Sequence, residues 1–381
     1  MIQPQEKPLT ALVMTGGGAR AAYQVGVLKA VCELMPKDSG NPFPIICGTS
    51  AGAINAAALA VYASQFRTGV RRLNRVWRNF EVGQVFRAGT WSVTRSGARW
   101  LLAMMTGGFG GRPAYLFDRT PLKALLSRYL LFGQIEKAIA AGDLRALSIA
   151  VSGYSSGESI NFFQGTEKLR PWRRARRLGM KSRIELDHLM ASSAIPFLFK
   201  AVRIHREYFG DGSMRQHAPV SPALHLGADK ILVIGVHKDM TDEPERYQGH
   251  EYPSPARIAS HVLNSIFLDS LDADLERLTR INKTVRGIPE NRRRELGITL
   301  REVESLVVSP SEDLGDIAQR HAHHLPPMLR FFLRRIGAIN KGGASLVSYI
   351  LFEKSYCREL ISLGYADAMQ QRDELKRFLN G

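Results

Sequence analysis

Cysteine is scarce. Only Cys32, Cys47 and Cys357 occur in 381 residues, with no Cys-x-x-Cys pair. Three is too few, and an odd number, for a disulfide framework, and a reducing compartment is the expectation. No apolar run reaches the 18 residues of a membrane span. The window 43–63 comes nearest, but Thr49, Ser50 and Asn55 interrupt it. The opening MIQPQEKPLTALVM lacks a basic stretch followed by a long apolar one, so no secretory leader is expected. No repeat, low-complexity tract or Gly-Lys-[Ser/Thr] phosphate loop is present.

Acidic residues are also in deficit. Against 52 Lys and Arg stand 35 Asp and Glu, a formal charge of +17. Such a balance favours acidic surfaces, either nucleic acid or anionic lipid, and says nothing of fold. The densest basic cluster is RPWRRARRLGMKSR, residues 170–183, with Trp172 beside Arg173, Arg174, Arg176 and Arg177. One aromatic gives no platform for stacked bases, so nucleic acid is not expected as a partner. Tryptophan favours the lipid–water boundary, and each arginine near acidic lipid adds about 1 kcal/mol. An anionic membrane surface is therefore the expected partner, with a solvated loop as the plainer option.

What is present begins with an apolar strand in LTALVMTGGGAR, then a helix with Tyr23, Val27, Ala30 and Leu34 on one face. The strand PIIC and a second helix follow, giving β–α–β–α, the pattern of a parallel sheet covered by helices. Residues 66–80 place Phe66, Val70, Leu73, Trp77 and Phe80 on one helical face with arginines around them, which reads as a core helix. Residues 87–114 mix Gly, Trp and Met without a period, as lids and binding loops do. RALSIAVSGYSSGESINFFQ predicts a strand pair turning at YSSGE, and DKILVIGVH another buried strand. Residues 238–256 read as a linker. Beyond it the chain is mainly helical, with one more strand in VESLVVSP. The expected division is a catalytic α/β unit over 1–245 and a mainly helical region over 246–381.

Two glycine motifs sit at strand–helix junctions. In TGGGAR, Gly16, Gly17 and Gly18 allow close backbone approach, and their N–H groups can face an anion. Gly16, Gly18 and Ala21 fit a loose G-x-G-x-x-A dinucleotide pattern, but the acidic residue it needs at the end of the second strand is missing. The alternatives are an oxyanion hole and a plain turn. In GTSAG, Ser50 lies between Gly48 and Gly52. That spacing suits a nucleophile pushed out on a sharp turn, or a simple helix cap. Two neighbouring parallel strands would bring both motifs to one carboxyl edge, where such sheets bind ligands.

A serine nucleophile needs a base. Asp211, in YFGDGSMRQHAP, is one candidate, though Asp-Gly is also a common turn. His217, six residues on, is its rival. His321, His323 and His324 lack the paired motif of a metal site, and no metal is expected. Cys47 reads as buried packing.

GGGARAAYQVGVL, GTSAGAINAA, LFDRTPL, ASSAIPFLF and DGS, taken in this order, resemble the patatin-like phospholipases. The likeness runs over about residues 9–237. It implies a three-layer α/β fold with a mainly parallel sheet between helices, and a Ser–Asp dyad without histidine. Carried over, Ser50 is the nucleophile, Asp211 the base and Gly16–Gly18 the oxyanion hole. Arg20 is left as a phosphate contact or a brace for the loop. Two positions depart from the usual pattern, Ala21 where glycine is common and Ser213 after Asp-Gly. The implied activity is hydrolysis of fatty-acyl esters of phospholipids or related lipids, with no cofactor. A cytoplasmic protein is expected, with peripheral attachment at the inner membrane surface as an option. A dinucleotide-binding oxidoreductase and a catalytically silent lipid-binding module stand as alternatives.

Overall fold

The computed structural model describes residues 8–87, 115–238, 255–267, 269–298, 300–335, 337–338 and 344–380. The irregular segment expected over 87–114 lies outside the described residues from position 88, and the linker lies outside them over 239–254.

The short apolar runs become fully buried strands. β1 (Thr10–Met14), β2 (Ile45–Thr49) and β3 (Ala146–Gly153) pair in parallel, and β9 (Lys230–Ile234) pairs in parallel with the other side of β1. β10 (Glu304–Val308) extends the sheet beyond β9. Past β3 the direction reverses. β4 (Ser159–Gly165) is antiparallel to β3, and an outer hairpin of β5 (Trp172–Arg174) and β6 (Arg177–Lys181) completes that edge. The order is β10-β9-β1-β2-β3-β4-β6-β5. A second hairpin, β7 (Val202–Ile204) and β8 (Glu207–Asp211), docks on the end of β3 and sets Asp211 opposite Val151.

Alternation along each strand divides the core into two layers. Leu12, Met14 and Ile46 face one side, with helices α1 (Ala22–Leu34), α2 (Ala51–Val61) and α3 (Phe66–Arg78). Ala11, Val13, Ile45 and Cys47 face the other, against Val220, Leu226 and Leu271. The chain is thus an open, mainly parallel sheet between helical layers. Phe66, Val70, Leu73 and Trp77 of α3 are buried, as the spacing predicts.

The mainly helical region after residue 245 packs into the same core. Besides contributing β10, it lays the helix Lys354–Gln370 against α1, where Tyr23 Oη donates to Asp367 Oδ2 at 3.0 Å. Among the described residues, no helix is long and apolar enough to cross a membrane.

The basic cluster at 170–183 is a β-hairpin rather than a loop, and Trp172 does not face outward. Its ring stacks on Phe163 and on His225, each with centroids 5.0 Å away. Stacking between the two rings holds the half-buried Trp172 against the sheet. Arg173, Arg174 and Arg176 are exposed, and Arg173 pairs with Glu158 at 2.9 Å.

Candidate active site

Ser50 follows β2 and precedes α2 in a conformation that side chains seldom adopt, with φ 55° and ψ −125°. Crowding explains the two glycines beside it. A Cβ at Gly52 would lie 2.4 Å from the Met14 carbonyl oxygen, and one at Gly48 would lie 2.5 Å from that of Gly52. Only with both side chains absent can α2 leave so close to β1 and β2. Such strain is held by surrounding contacts. Ser50 N donates to Ser192 Oγ at 2.9 Å, and Ser192 Oγ in turn donates to the Ala150 carbonyl at 2.6 Å.

Ser50 Oγ donates to Asp211 Oδ2 at 2.6 Å. The second oxygen, Oδ1, accepts from Ser213 N at 2.9 Å. Asp211 has no exposed surface. Burial pushes its carboxyl up to about 6, and the hydrogen bonds from Ser50 and Ser213, with the Arg119 charge, hold it from rising further. His217 is exposed, so the group bonded to the serine is the aspartate.

The TGGGAR loop comes to the same place because β1 neighbours β2. Gly18 and Ser50 line one cavity. Gly17 opens a short 3-10 helix over Gly18–Ala21, whose first N–H groups have no partner in their own turn. Gly18 has φ +56°, and a Cβ there would lie 2.1 Å from the Tyr349 carbonyl oxygen. Arg20 points away from solvent and is only 4% exposed. Its Nε donates to Ser348 Oγ and its Nη2 to Ser345 Oγ, both at 2.7 Å, while the guanidinium lies over the Tyr349 ring. A hydrogen-bonded chain fixes the loop from beneath. Trp77 Nε1 donates to Asn55 Oδ1, Asn55 Nδ2 to Gln24 Oε1 and Gln24 Nε2 to the Thr15 carbonyl.

The remaining sequence candidates lie elsewhere. His321 is bonded to Glu359, and the rings of His323 and His324 pack side by side. Among the described residues, no group of three or more His, Cys, Asp or Glu could hold a metal ion. Cys47 sits in the second core layer, where burial pushes its thiol far up.

A family model for patatin-like phospholipase matches residues 12–224. The chain belongs to the patatin-like phospholipase family. A segment of 61 residues is 46% identical to patatin-like phospholipase domain-containing protein 7 of Mus musculus, covering 16% of this chain and 4% of the mouse protein. Two solved structures are among those to which the chain is similar. Human GIVD cytosolic phospholipase A2 in complex with methyl gamma-linolenyl fluorophosphonate has 13% identity and a TM-score of 0.46, over 100% of this chain and 60% of the human one. VipD from Legionella pneumophila has 12% identity and a TM-score of 0.37, over 97% and 67%.

In this patatin-like chain, several residues around the pair escaped sequence reasoning. Arg119, from LFDRTPL, is buried and donates to the Ser193 and Lys200 carbonyls, tying down the segment between α/β elements that also carries Ala194. Burial pulls its guanidinium down to about 10. Asp211 N bonds to the Ala194 carbonyl at 2.9 Å, so Arg119 fixes the surroundings of the carboxylate. Motif order placed LFDRTPL and ASSAIPFLF in the chain but gave no side chain a task. Tyr349 carried no sequence signal, since it lies more than 330 residues from Gly18.

Proposed function

We propose that the chain is a serine lipid acyl hydrolase working through a Ser50–Asp211 dyad. One observation carries the reading: Ser50 Oγ, on a strained turn, donates to a buried carboxylate at 2.6 Å and lines an apolar cavity. Asp211 removes the Ser50 proton as Oγ attacks the carbonyl carbon of a fatty ester. The tetrahedral oxyanion is met by N–H groups of the Gly16–Gly18 loop, and the N-terminal end of α2 adds a positive field at the nucleophile. The protonated Asp211 gives its proton to the departing alcohol, leaving an acyl-Ser50 ester. Water then attacks, Asp211 takes its proton, and Ser50 leaves with that proton as the fatty acid departs.

The environment of Asp211 suits both halves of the cycle. An ordinary aspartate, near 3.9, is a weak base. Held up to about 6, this one accepts protons more readily yet is still mainly ionised at pH 7. Arg20 serves as the brace that holds the glycine loop, its Nε and Nη2 donating to Ser348 and Ser345. The substrate is a phospholipid or related lipid at an anionic surface, favoured by the charge of +17. The turn between β5 and β6 supports this orientation. Arg177 is in register with Ser159, and Ser159 with Ser152, at the carboxyl edge that also carries Ser50. The exposed arginines therefore share an edge with the nucleophile.

The test is intact mass after fluorophosphonate treatment, followed by release of fatty acid from a lipid panel. One adduct, mapped to Ser50 and absent in Ser50→Ala, is expected. Labelling elsewhere, or none, would refute the dyad. A silent lipid-binding module would bind the lipids without releasing acid.

A further inference from the structure

The cavity that holds Ser50 also reaches Tyr62, and three helices contribute stripes of residues to its lining. Along α2 the lining residues are Ala51, Ile54, Ala58 and Tyr62, one face at intervals of three and four. α3 returns antiparallel beside it. Trp77 Nε1 reaches Asn55 near the start of α2, whereas Arg72 Nη1 donates to Tyr62 Oη at 2.6 Å at its end. From α3 come Trp77, Leu73 and Gly69 in order away from Ser50. The third wall is the helix Thr120–Tyr129, with Leu122, Leu126 and finally Tyr129. The empty space is about 1000 Å³, open mouth included.

The far end is built differently from the rest. Tyr62 packs onto α3 so closely that a Cβ at Gly69 would lie 2.7 Å from Tyr62 Cβ. Exposed Arg72 sits over the Tyr62 ring, 5.0 Å from its centroid, and bonds to its hydroxyl. An apolar groove thus ends on a polar pair beside solvent. A chain that stops short of the pair is fully covered, and one that passes it must displace a hydrogen-bonded cation or bend into water.

Resting on the acyl-hydrolase reading above, we propose that Tyr62, seated on Gly69 and pinned by Arg72, is the end stop that selects acyl chain length. Helical rise sets the scale. Tyr62 follows Ser50 by twelve residues, about 18 Å at 1.5 Å per residue. An extended chain advances about 1.2 Å per bond, so the groove holds about 15 bonds, an acyl group of about 16 carbons. Ala58 marks the position about 12 Å along, or about ten bonds.

The experiment is a series of p-nitrophenyl esters from 4 to 22 carbons in mixed micelles of fixed composition, with each profile expressed relative to the same enzyme's 4-carbon rate. For the unsubstituted chain, kcat/KM should rise with length, by up to about fourfold per methylene, and peak at about 16 carbons. Tyr62→Ala should shift the peak to longer chains and raise the 20-to-16-carbon ratio at least threefold. Ala58→Phe should bring the peak to about 11 carbons and cut the 16-to-8-carbon ratio at least tenfold. Arg72→Met, at an exposed position, repeats the Tyr62 test should the half-buried Tyr62 substitution unfold the chain. Identical peaks in folded Tyr62→Ala, Arg72→Met and unsubstituted enzyme would overturn the end stop. Absence of both 4-carbon turnover and fluorophosphonate labelling in the unsubstituted chain would instead remove the hydrolase reading beneath it.

Discussion

Replacing Asp211 by Asn should make the protein inert and, above pH 6, more stable. The carboxyl is wholly buried, and its folded value is about 6 against an ordinary 3.8. The folded state therefore binds the proton more tightly than the unfolded chain does. Between those two values protonation favours the fold, and stability is lost as pH rises through the window. Above about 6 the loss is complete. A shift of about 2 units corresponds to about 3 kcal/mol of penalty for holding the charge. Asparagine never has that charge, and its carbonyl oxygen can still accept from Ser213 N. The gap in unfolding free energy between Asp211→Asn and the unsubstituted chain should be near zero at pH 4. It should grow to about 3 kcal/mol by pH 7 and stay level to pH 8. Chemical denaturation across pH 4–8 measures it, and taking the difference cancels the other titrating groups. A gap that is flat, or that favours the aspartate at pH 8, would refute the reasoning. In the same series, kcat/KM of the unsubstituted chain should rise through an apparent pKa near 6, and the variant should lose 10²–10⁴-fold or more, an order-of-magnitude cost for a lost general base.

Three further outcomes follow from the geometry. His217→Ala, at an exposed side chain, should change ester turnover less than about threefold, and a loss comparable to that of Asp211→Asn would restore a histidine mechanism. Gly18→Ala sets a methyl against the Tyr349 carbonyl at a positive φ, so activity should vanish and stability fall by more than about 2 kcal/mol; normal kinetics would make the loop a mere turn. Arg20→Met should weaken hydrogen-exchange protection over 344–350 and lower turnover of neutral esters and phospholipids alike, whereas a selective rise in KM for phospholipids would make Arg20 a phosphate contact.

The parallel sheet and the two glycine junctions were legible because each depends on short-range signals, whereas the pairing of Ser50 with Asp211, 161 positions on, was only implied by the family resemblance. An apolar run, a glycine pair and a motif order can all be read from a few residues. The stacking of the half-buried Trp172 ring was not legible, since its partners Phe163 and His225 come from β4 and from a helix more than 50 residues on. Nor could sequence choose between the two tasks open to Arg20. Its partners, Ser345 and Ser348, are small residues without a motif, some 325 positions away, and only the packing of the last helices brings them near. The same holds for Arg119, whose use is to bond carbonyls, and carbonyls leave no trace in composition.

The Tyr349 carbonyl wedged against Gly18 has a consequence for biosynthesis. A ribosome delivers Ser50, Asp211 and the glycine loop long before it delivers residues 344–350. Until that stretch emerges, the loop lacks both its steric backstop and the hydroxyls that hold Arg20. A chain cut at residue 224, where the family match ends, would also lack β9, one of the two strands that flank β1. If the proposed activity needs this backstop, esterase activity should switch on late during synthesis, after about residue 350 has cleared the exit tunnel.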